Sequence, residues 1–171
     1  MVDERALESL IVSDGDRVTC LGDIERSSGS VLTLWASRAW EPDRTSRFVN
    51  SDIGVQMRVG FGLPLEGSIV LVTGTWRQGV ITDARWALPD TFEQPMLPGS
   101  PAKLKPADTL DLHHAFMEGI EADASDDYLI AGGGTLDAAW LWLRTLSPAV
   151  AERVSAYPGR VDVFTAVTPV R

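Results

Sequence analysis

The stretch IGVQMRVGF at residues 53–61 decides the fold, because its large apolar residues recur at every second position. Alternation of this kind is typical of a β-strand that has one buried face and one outer face. Val55 and Met57 share the apolar face of the strand. Gln56 and Arg58 share the opposite face. We therefore predict a strand over residues 53–61 whose polar side chains point away from a core.

The same period of two continues on both sides of this strand. Segments 17–26 and 30–38 alternate and are separated by a Ser-Ser-Gly turn, which predicts a β-hairpin. Segments 68–76 and 80–87 are separated by a turn that ends in Gly79, which predicts a second hairpin. Together with the central strand, the two hairpins predict a small barrel of five antiparallel strands in the first half of the chain.

A proline-rich segment divides the chain. Five of the ten prolines fall between residues 88 and 106, and proline fixes φ and withholds a backbone donor. We therefore predict an extended connector over residues 89–107. It separates a domain over residues 1–88, which is the barrel preceded by a short N-terminal helix, from a lobe over residues 108–171.

The second lobe is predicted to be acidic, mostly helical with one or two short strands, and packed on the barrel. Apolar spacing predicts a helix over residues 108–121, and the apolar run 136–146 predicts another. Ser147 followed by Pro148 is the preferred order of cap and first turn, which predicts the start of a further helix. Residues 161–163 are expected to form a last strand.

Charge is unevenly divided between the two parts of the chain. The net charge of −9 argues against a general affinity for polyanions. Residues 17–86 hold eight arginines and seven acids, a balance of +1, so the remainder carries −10. The barrel is therefore nearly neutral and bears arginines, whereas the rest of the protein is acidic.

The cysteine content and the N-terminal residues indicate the compartment, and the sequence motifs indicate the class of activity. Cys20 is a lone cysteine without zinc-type spacing, which favours a reducing compartment. The N-terminal residues lack the apolar core of a signal peptide, and no apolar run approaches the roughly 20 residues that span a bilayer. We expect a cytoplasmic protein without a membrane segment. No recognisable catalytic motif or cofactor motif occurs, so binding is expected rather than catalysis.

Three segments of the first half resemble the oligonucleotide/oligosaccharide-binding (OB) barrels. VTCLGDI at residues 18–24 is similar to their glycine-bent first strand, GSIVLVTGTW at 67–76 to their fourth, and GVI at 79–81 to the start of their fifth. The resemblance covers residues 16–88 and names a superfamily, not a specific family. Many OB barrels place a helix between the third and fourth strands, and residues 62–67 are too few for one. Either the N-terminal helix or the second lobe plugs that end of the barrel instead, or the domain is a different small barrel.

The resemblance implies a binding face. OB barrels commonly bind single-stranded nucleic acid or oligosaccharide across the outer face of strands two and three, between two flanking loops. Bases stack on aromatic rings there, and guanidinium groups pair with phosphates. The residues at matching positions of this chain are Arg26, Thr33, Trp35, Arg38, Trp40, Gln56, Arg58, Trp76 and Arg77.

Other interpretations remain open at this point. Tryptophans in so small a barrel commonly belong to the core, and arginines balanced by acids commonly form a solvated face. The barrel would then be a scaffold in an assembly, and the acidic lobe would contact a protein partner. A small-ligand or enzymatic role in a cleft between the lobes is a third hypothesis.

Two further motifs are given structural interpretations. His113 and His114 are adjacent on the predicted helix and point in different directions, so no metal site is predicted. The glycines at residues 132–134 are expected to form a turn before a helix. They match no phosphate-binding fingerprint.

Overall fold

The computed structural model describes residues 4–28, 31–36, 54–60, 62–89, 129–134, 139–158 and 161–171. Two helices and nine strands lie within these ranges. They are α1 (Glu4–Leu10), β1 (Arg17–Ser28), β2 (Val31–Trp35), β3 (Val55–Val59), β4 (Ile69–Arg77), β5 (Val80–Ala87), β6 (Leu129–Gly134), β7 (Ala139–Leu143), α2 (Pro148–Ser155), β8 (Val161–Thr165) and β9 (Val167–Pro169).

Strands β1 to β5 form a closed barrel, as the alternation predicts. Each strand pairs with two others in the cyclic order β1-β2-β3-β5-β4, and β9 adds to β1 along one edge. The prediction that all five strands are antiparallel is wrong for one pair, because β3 and β5 are parallel. A closed ring with an odd number of strands cannot alternate direction all the way round, so one parallel pair is unavoidable.

The barrel core consists of the inward residues of each strand. In β2 and β3, buried residues alternate with outward residues along the strand. The buried residues are Leu32, Leu34, Val55 and Met57, each at most 1% exposed. Strand β4 has the same alternation, so its outer residues are accessible although the sequence is apolar on both faces. Period two therefore assigns the inner and outer faces of β2 and β3 correctly.

Gly74 allows β4 and β5 to approach closely. A Cβ atom at Gly74 would lie 2.7 Å from the carbonyl oxygen of Thr82 and 3.3 Å from Cα of Ala84. The pairing register shifts at this point, and Asp83 adopts a left-handed φ of 51°. The strand bends around a bulge here, where only glycine leaves room for the neighbouring backbone.

The prediction of a mostly helical second lobe is wrong. Residues 132–134, expected as a glycine turn, belong to strand β6, and residues 139–143, expected as part of a helix, are strand β7. The two strands form a three-stranded sheet with β8. Leu141, Trp142 and Leu143 are all at most 3% exposed. A strand buried on both faces has no polar alternation, and its apolar run therefore looks like a buried helix.

The helix after Ser147 is confirmed. The hydroxyl of Ser147 accepts a hydrogen bond from the N–H of Val150 at 3.2 Å, and Pro148 occupies the first turn. Its buried face includes Val150 and Val154, which join a second core with Leu7 of α1. The strand predicted around residues 161–163 is also confirmed, as β8.

Main-chain hydrogen bonds connect this second core to the barrel at two places. The N–H of Val12 donates to the carbonyl of Leu146 at 3.4 Å, and the N–H of Val167 donates to the carbonyl of Arg144 at 2.9 Å. From Val167 the chain continues into β9, which pairs with β1 of the barrel. The lobe is therefore attached to the barrel through its last strand and through the segment that follows α1.

Several predictions fall on residues outside the described ranges. They are the helix over residues 108–121 with His113 and His114, most of the connector over residues 89–107, and the site residues Arg38 and Trp40. Residues 62–67 between β3 and β4 are described and contain a turn without a helix. Neither of the two helices in the described ranges is long and apolar enough to cross a membrane.

Candidate nucleic-acid interface

A row of outward residues crosses all five strands of the barrel. Glu25 of β1 pairs with Thr33 of β2, and Thr33 pairs with Gln56 of β3. Gln56 pairs with Val80 of β5, and Val80 with Arg77 of β4. Because neighbouring strands lie about 4.8 Å apart, the row brings three residues of the predicted site onto one continuous surface: Thr33, Gln56 and Arg77.

Trp35 and Arg58 lie on opposite sides of this row. Trp35 follows Thr33 by two residues and Arg58 follows Gln56 by two, and the two strands are antiparallel. Two residues along a strand span about 7 Å. Arg58 pairs with Val31, one position from the pair formed by Arg26 and Leu32. Leu32 is inward, so Arg26 lies on the inner side of β1 at this end of the barrel, where it is exposed. Arg58 therefore lies at one end of the outer face, whereas Trp35 lies at the other.

The indole of Trp35 lies against the backbone of Gly54. A Cβ atom at Gly54 would come within 3.2 Å of Cζ3 and 3.3 Å of Cε3 of the ring, and would overlap Cγ2 of Thr33. Trp35 is half-buried and lies on the outer side of β2, whose inward residues are Leu32 and Leu34. The glycine thus provides the space in which the ring rests on the barrel wall.

Two carboxylates share this face with the arginines. Asp23 pairs with Trp35, and Glu25 pairs with Thr33. Their outward direction follows from the sequence, since inward Gly22 and Ile24 place Asp23 and Glu25 on the opposite side. Their position beside Trp35 and Thr33 depends on the register between β1 and β2. Oδ1 of Asp23 is buried and has no hydrogen-bond partner among the described residues. A phosphate would be repelled here, so favourable phosphate contacts are restricted to Arg26 and Arg58 at one end of the barrel and to Arg77 of β4.

Trp76 does not offer a stacking surface. It is 8% exposed and belongs to the barrel core, on the inward side of β4 with Val70 and Val72. Trp86 is half-buried, packs against the same core and donates its indole N–H to the carbonyl of Gly62 at 3.0 Å. Trp76 and Trp86 are therefore packing residues of the barrel, as the alternative interpretation of the sequence expects.

A second surface of the barrel is apolar. Outward Leu71 of β4 pairs with Leu21 of β1 and with Ala87 of β5. Leu88 follows directly, and Leu63 and Leu65 lie in the connection between β3 and β4. Among the described residues of the barrel, four large hydrophobic side chains are at least 40% exposed: Leu63, Leu65, Leu71 and Leu88.

Comparisons with known proteins found no match to this chain. No protein-family model matches it, and neither a curated protein nor a solved structure matches it significantly. The class that the geometry defines is that of a closed five-stranded β-barrel with an attached β-rich lobe.

Proposed function

We propose that the barrel is an OB-like module that binds single-stranded nucleic acid across the outer face of β2 and β3, without catalysing a reaction. The five strands, their closure and the order of hairpin, single strand and hairpin support an OB-like barrel. The observation that carries the proposal is the indole of Trp35, which rests on Gly54 on that outer face.

In the proposed complex one base stacks on Trp35, and the adjacent bases contact Thr33 and Gln56 through hydrogen bonds. Base stacking on an aromatic side chain contributes about 1–3 kcal/mol and tolerates any sequence. The phosphates lie near Arg58 and Arg26 at one end of the barrel and near Arg77 of β4. The nearby carboxylates lower the affinity for the backbone, so the binding is moderate and sensitive to salt.

Fluorescence anisotropy of a labelled single-stranded dT oligonucleotide of about 12 nucleotides tests the proposal, since OB barrels occupy roughly 4–16 nucleotides. Three arginines near the proposed phosphate positions predict that log K falls with log salt with a slope of about −2, at roughly −0.7 for each neutralised phosphate. The Trp35→Ala, Arg58→Ala double variant should lose binding and keep its fold by circular dichroism.

Arg171→Ala is the matched control, since it also removes one exposed arginine. Its guanidinium donates to the carbonyl of Glu8 at 2.8 Å, beside α1 and away from β2 and β3. The control should bind like the unmodified protein. Equal loss in the control and in the double variant, or undiminished binding by the double variant, would contradict the proposed site.

The exposed leucines favour a second candidate function, in which the barrel is a component of a protein assembly. Leu65 is 80% exposed and Leu88 is 65% exposed, and large exposed apolar side chains are commonly covered at an interaction site. Light scattering of the unmodified protein and of Leu71→Glu would distinguish the candidates. A defined oligomer that the variant abolishes, together with no oligonucleotide binding, would favour assembly over nucleic-acid binding.

A further inference from the structure

A carboxylate lies directly beside the proposed stacking position on Trp35. Asp23 of β1 pairs with Trp35 of β2 in the antiparallel register. Side chains that face each other across such a pair lie on the same side of the sheet, with Cβ atoms about 4.5–5.5 Å apart. On the other side of the indole is Gly54, against whose backbone the ring rests. A base that stacks on Trp35 therefore has the carboxylate of Asp23 beside its edge.

The carboxylate of Asp23 has unused capacity to accept hydrogen bonds. Its Oδ1 is buried and accepts none from the described residues, although the residue as a whole is only half-buried. Glu25, the next outward residue of β1, is by contrast held by an interaction within the fold. Buried polar atoms nearly always have a partner. The terminal torsion of aspartate is broad, so a small rotation turns either oxygen of Asp23 toward a ligand that brings donors.

The chemistry of a carboxylate distinguishes between the bases. An ionised carboxylate only accepts hydrogen bonds, and in single strands the Watson–Crick edge of a base is available for contact. On that edge guanine has two adjacent donors, the ring N1–H and the N2 amino group, which match the two carboxylate oxygens. Thymine has one N–H between two carbonyl oxygens, and a carboxylate repels both of those oxygens. Adenine and cytosine each place one amino group next to a ring nitrogen that accepts.

We propose that the base stacked on Trp35 is guanine, selected by the carboxylate of Asp23. This inference rests on the proposed function and narrows its ligand to single strands that place a guanine at the stacking position. Trp35 contributes affinity for every base, because stacking does not depend on base identity. Asp23 contributes the choice among the bases. Asp23 also repels phosphate, so this position accepts the base and not the backbone.

Fluorescence anisotropy with three labelled oligonucleotides of about 12 nucleotides tests the guanine assignment. The probes are oligo-dT, four repeats of TTG, and four repeats of TTI, in which inosine lacks only the N2 amino group of guanine. The TTG probe should bind about tenfold more tightly than oligo-dT, since it gains hydrogen bonds to a charged group. The TTI probe keeps only the N1–H donor, so its affinity should lie between the other two.

Two isosteric variants separate base selection from general charge. Asp23→Asn should bind the TTG probe and oligo-dT with equal affinity, because an amide presents one acceptor and one donor group instead of two acceptors. Glu25→Gln is the matched control, since it removes the same charge from the outer face at the position opposite Thr33. It should change the affinity for all three probes by the same factor and keep the guanine preference.

The outcomes distinguish this inference from the proposal on which it rests. Equal binding of the TTG probe and oligo-dT by the unmodified protein overturns the guanine assignment and leaves the nucleic-acid proposal standing. A guanine preference that survives Asp23→Asn, or one that Glu25→Gln abolishes equally, also overturns it. If none of the three probes binds, the nucleic-acid proposal itself is refuted, and the guanine assignment falls with it.

Discussion

Gly54→Ala should weaken oligonucleotide binding and leave the barrel folded. The added methyl group would stand 3.2 Å from Cζ3 and 3.3 Å from Cε3 of Trp35 and would overlap Cγ2 of Thr33. All three atoms belong to side chains on the outer face, so the indole and the threonine can move away without a shift of the backbone. Gly54 therefore controls the position of the indole more than it controls the stability of the barrel.

The expected losses of stability and of affinity follow from the side-chain contacts that Gly54→Ala changes. Overpacking costs about 1–3 kcal/mol, and the side chains here can yield, so we expect a cost near 1 kcal/mol. In a chain of this length that cost lowers the melting temperature by roughly 2–4 °C. A displaced indole loses part of the ~1–3 kcal/mol of base stacking. A loss of about 1 kcal/mol weakens binding roughly fivefold.

Gly60→Ala is the matched control for this prediction. Gly60 follows β3, and a Cβ atom there has no neighbouring atom within 4 Å. Anisotropy titrations and thermal denaturation of both variants are compared under one salt condition. The reasoning is refuted if Gly54→Ala binds the oligonucleotide as tightly as Gly60→Ala, or if both variants lose affinity equally.

Three further predictions concern the fold. Gly74→Ala should lower the free energy of unfolding by about 1–3 kcal/mol in urea titrations, because its methyl group would lie 2.7 Å from the carbonyl oxygen of Thr82; unchanged stability would contradict the close approach. Burial raises the pKa of the Cys20 thiol to about 12, so iodoacetamide at pH 8 should modify Cys20 only in denaturant, as mass spectrometry can measure. Since the unfolded thiol ionises first, this group makes the protein less stable as pH rises from 9.0 to about 12. Ser147→Ala should lower the free energy of unfolding by about 1 kcal/mol, because the hydrogen bond that the N–H of Val150 donates to the Ser147 hydroxyl at 3.2 Å is lost. Equal melting temperatures of the variant and the unmodified protein would refute the capping role of Ser147.

The barrel was predictable because each of its strands has one buried face and one solvent-accessible face. In β2 and β3 the buried positions alternate strictly with accessible ones, and this period is visible in the sequence. The parallel pairing of β3 and β5 is a property of closure, not of any local residue pattern. It follows only once five strands are required to form a ring.

The second lobe was not predictable in the same way. β7 is the central strand of its sheet, and both its faces are buried, so Leu141, Trp142 and Leu143 show no alternation. The glycines of β6 indicate a turn by their intrinsic preference, yet they pair in register with residues 139–141 of β7. Tertiary pairing overrides local preference in this strand.

The candidate site was predictable in part. Thr33, Trp35, Gln56 and Arg58 are outward as the period requires, whereas Trp76 is inward for the same reason. Strand β4 is apolar on both faces, so its sequence did not reveal which side holds the core. The carboxylate of Asp23 beside Trp35 depends on the register between β1 and β2, which the sequence does not specify.

An NMR titration of the ¹⁵N-labelled protein with the dT oligonucleotide tests the binding face most directly. The account predicts saturable shifts for the indole N–H of Trp35 and for the amides of Thr33, Gln56 and Arg58, with little change around α2. Shifts confined to other surfaces, or no shifts at oligonucleotide excess, would contradict it.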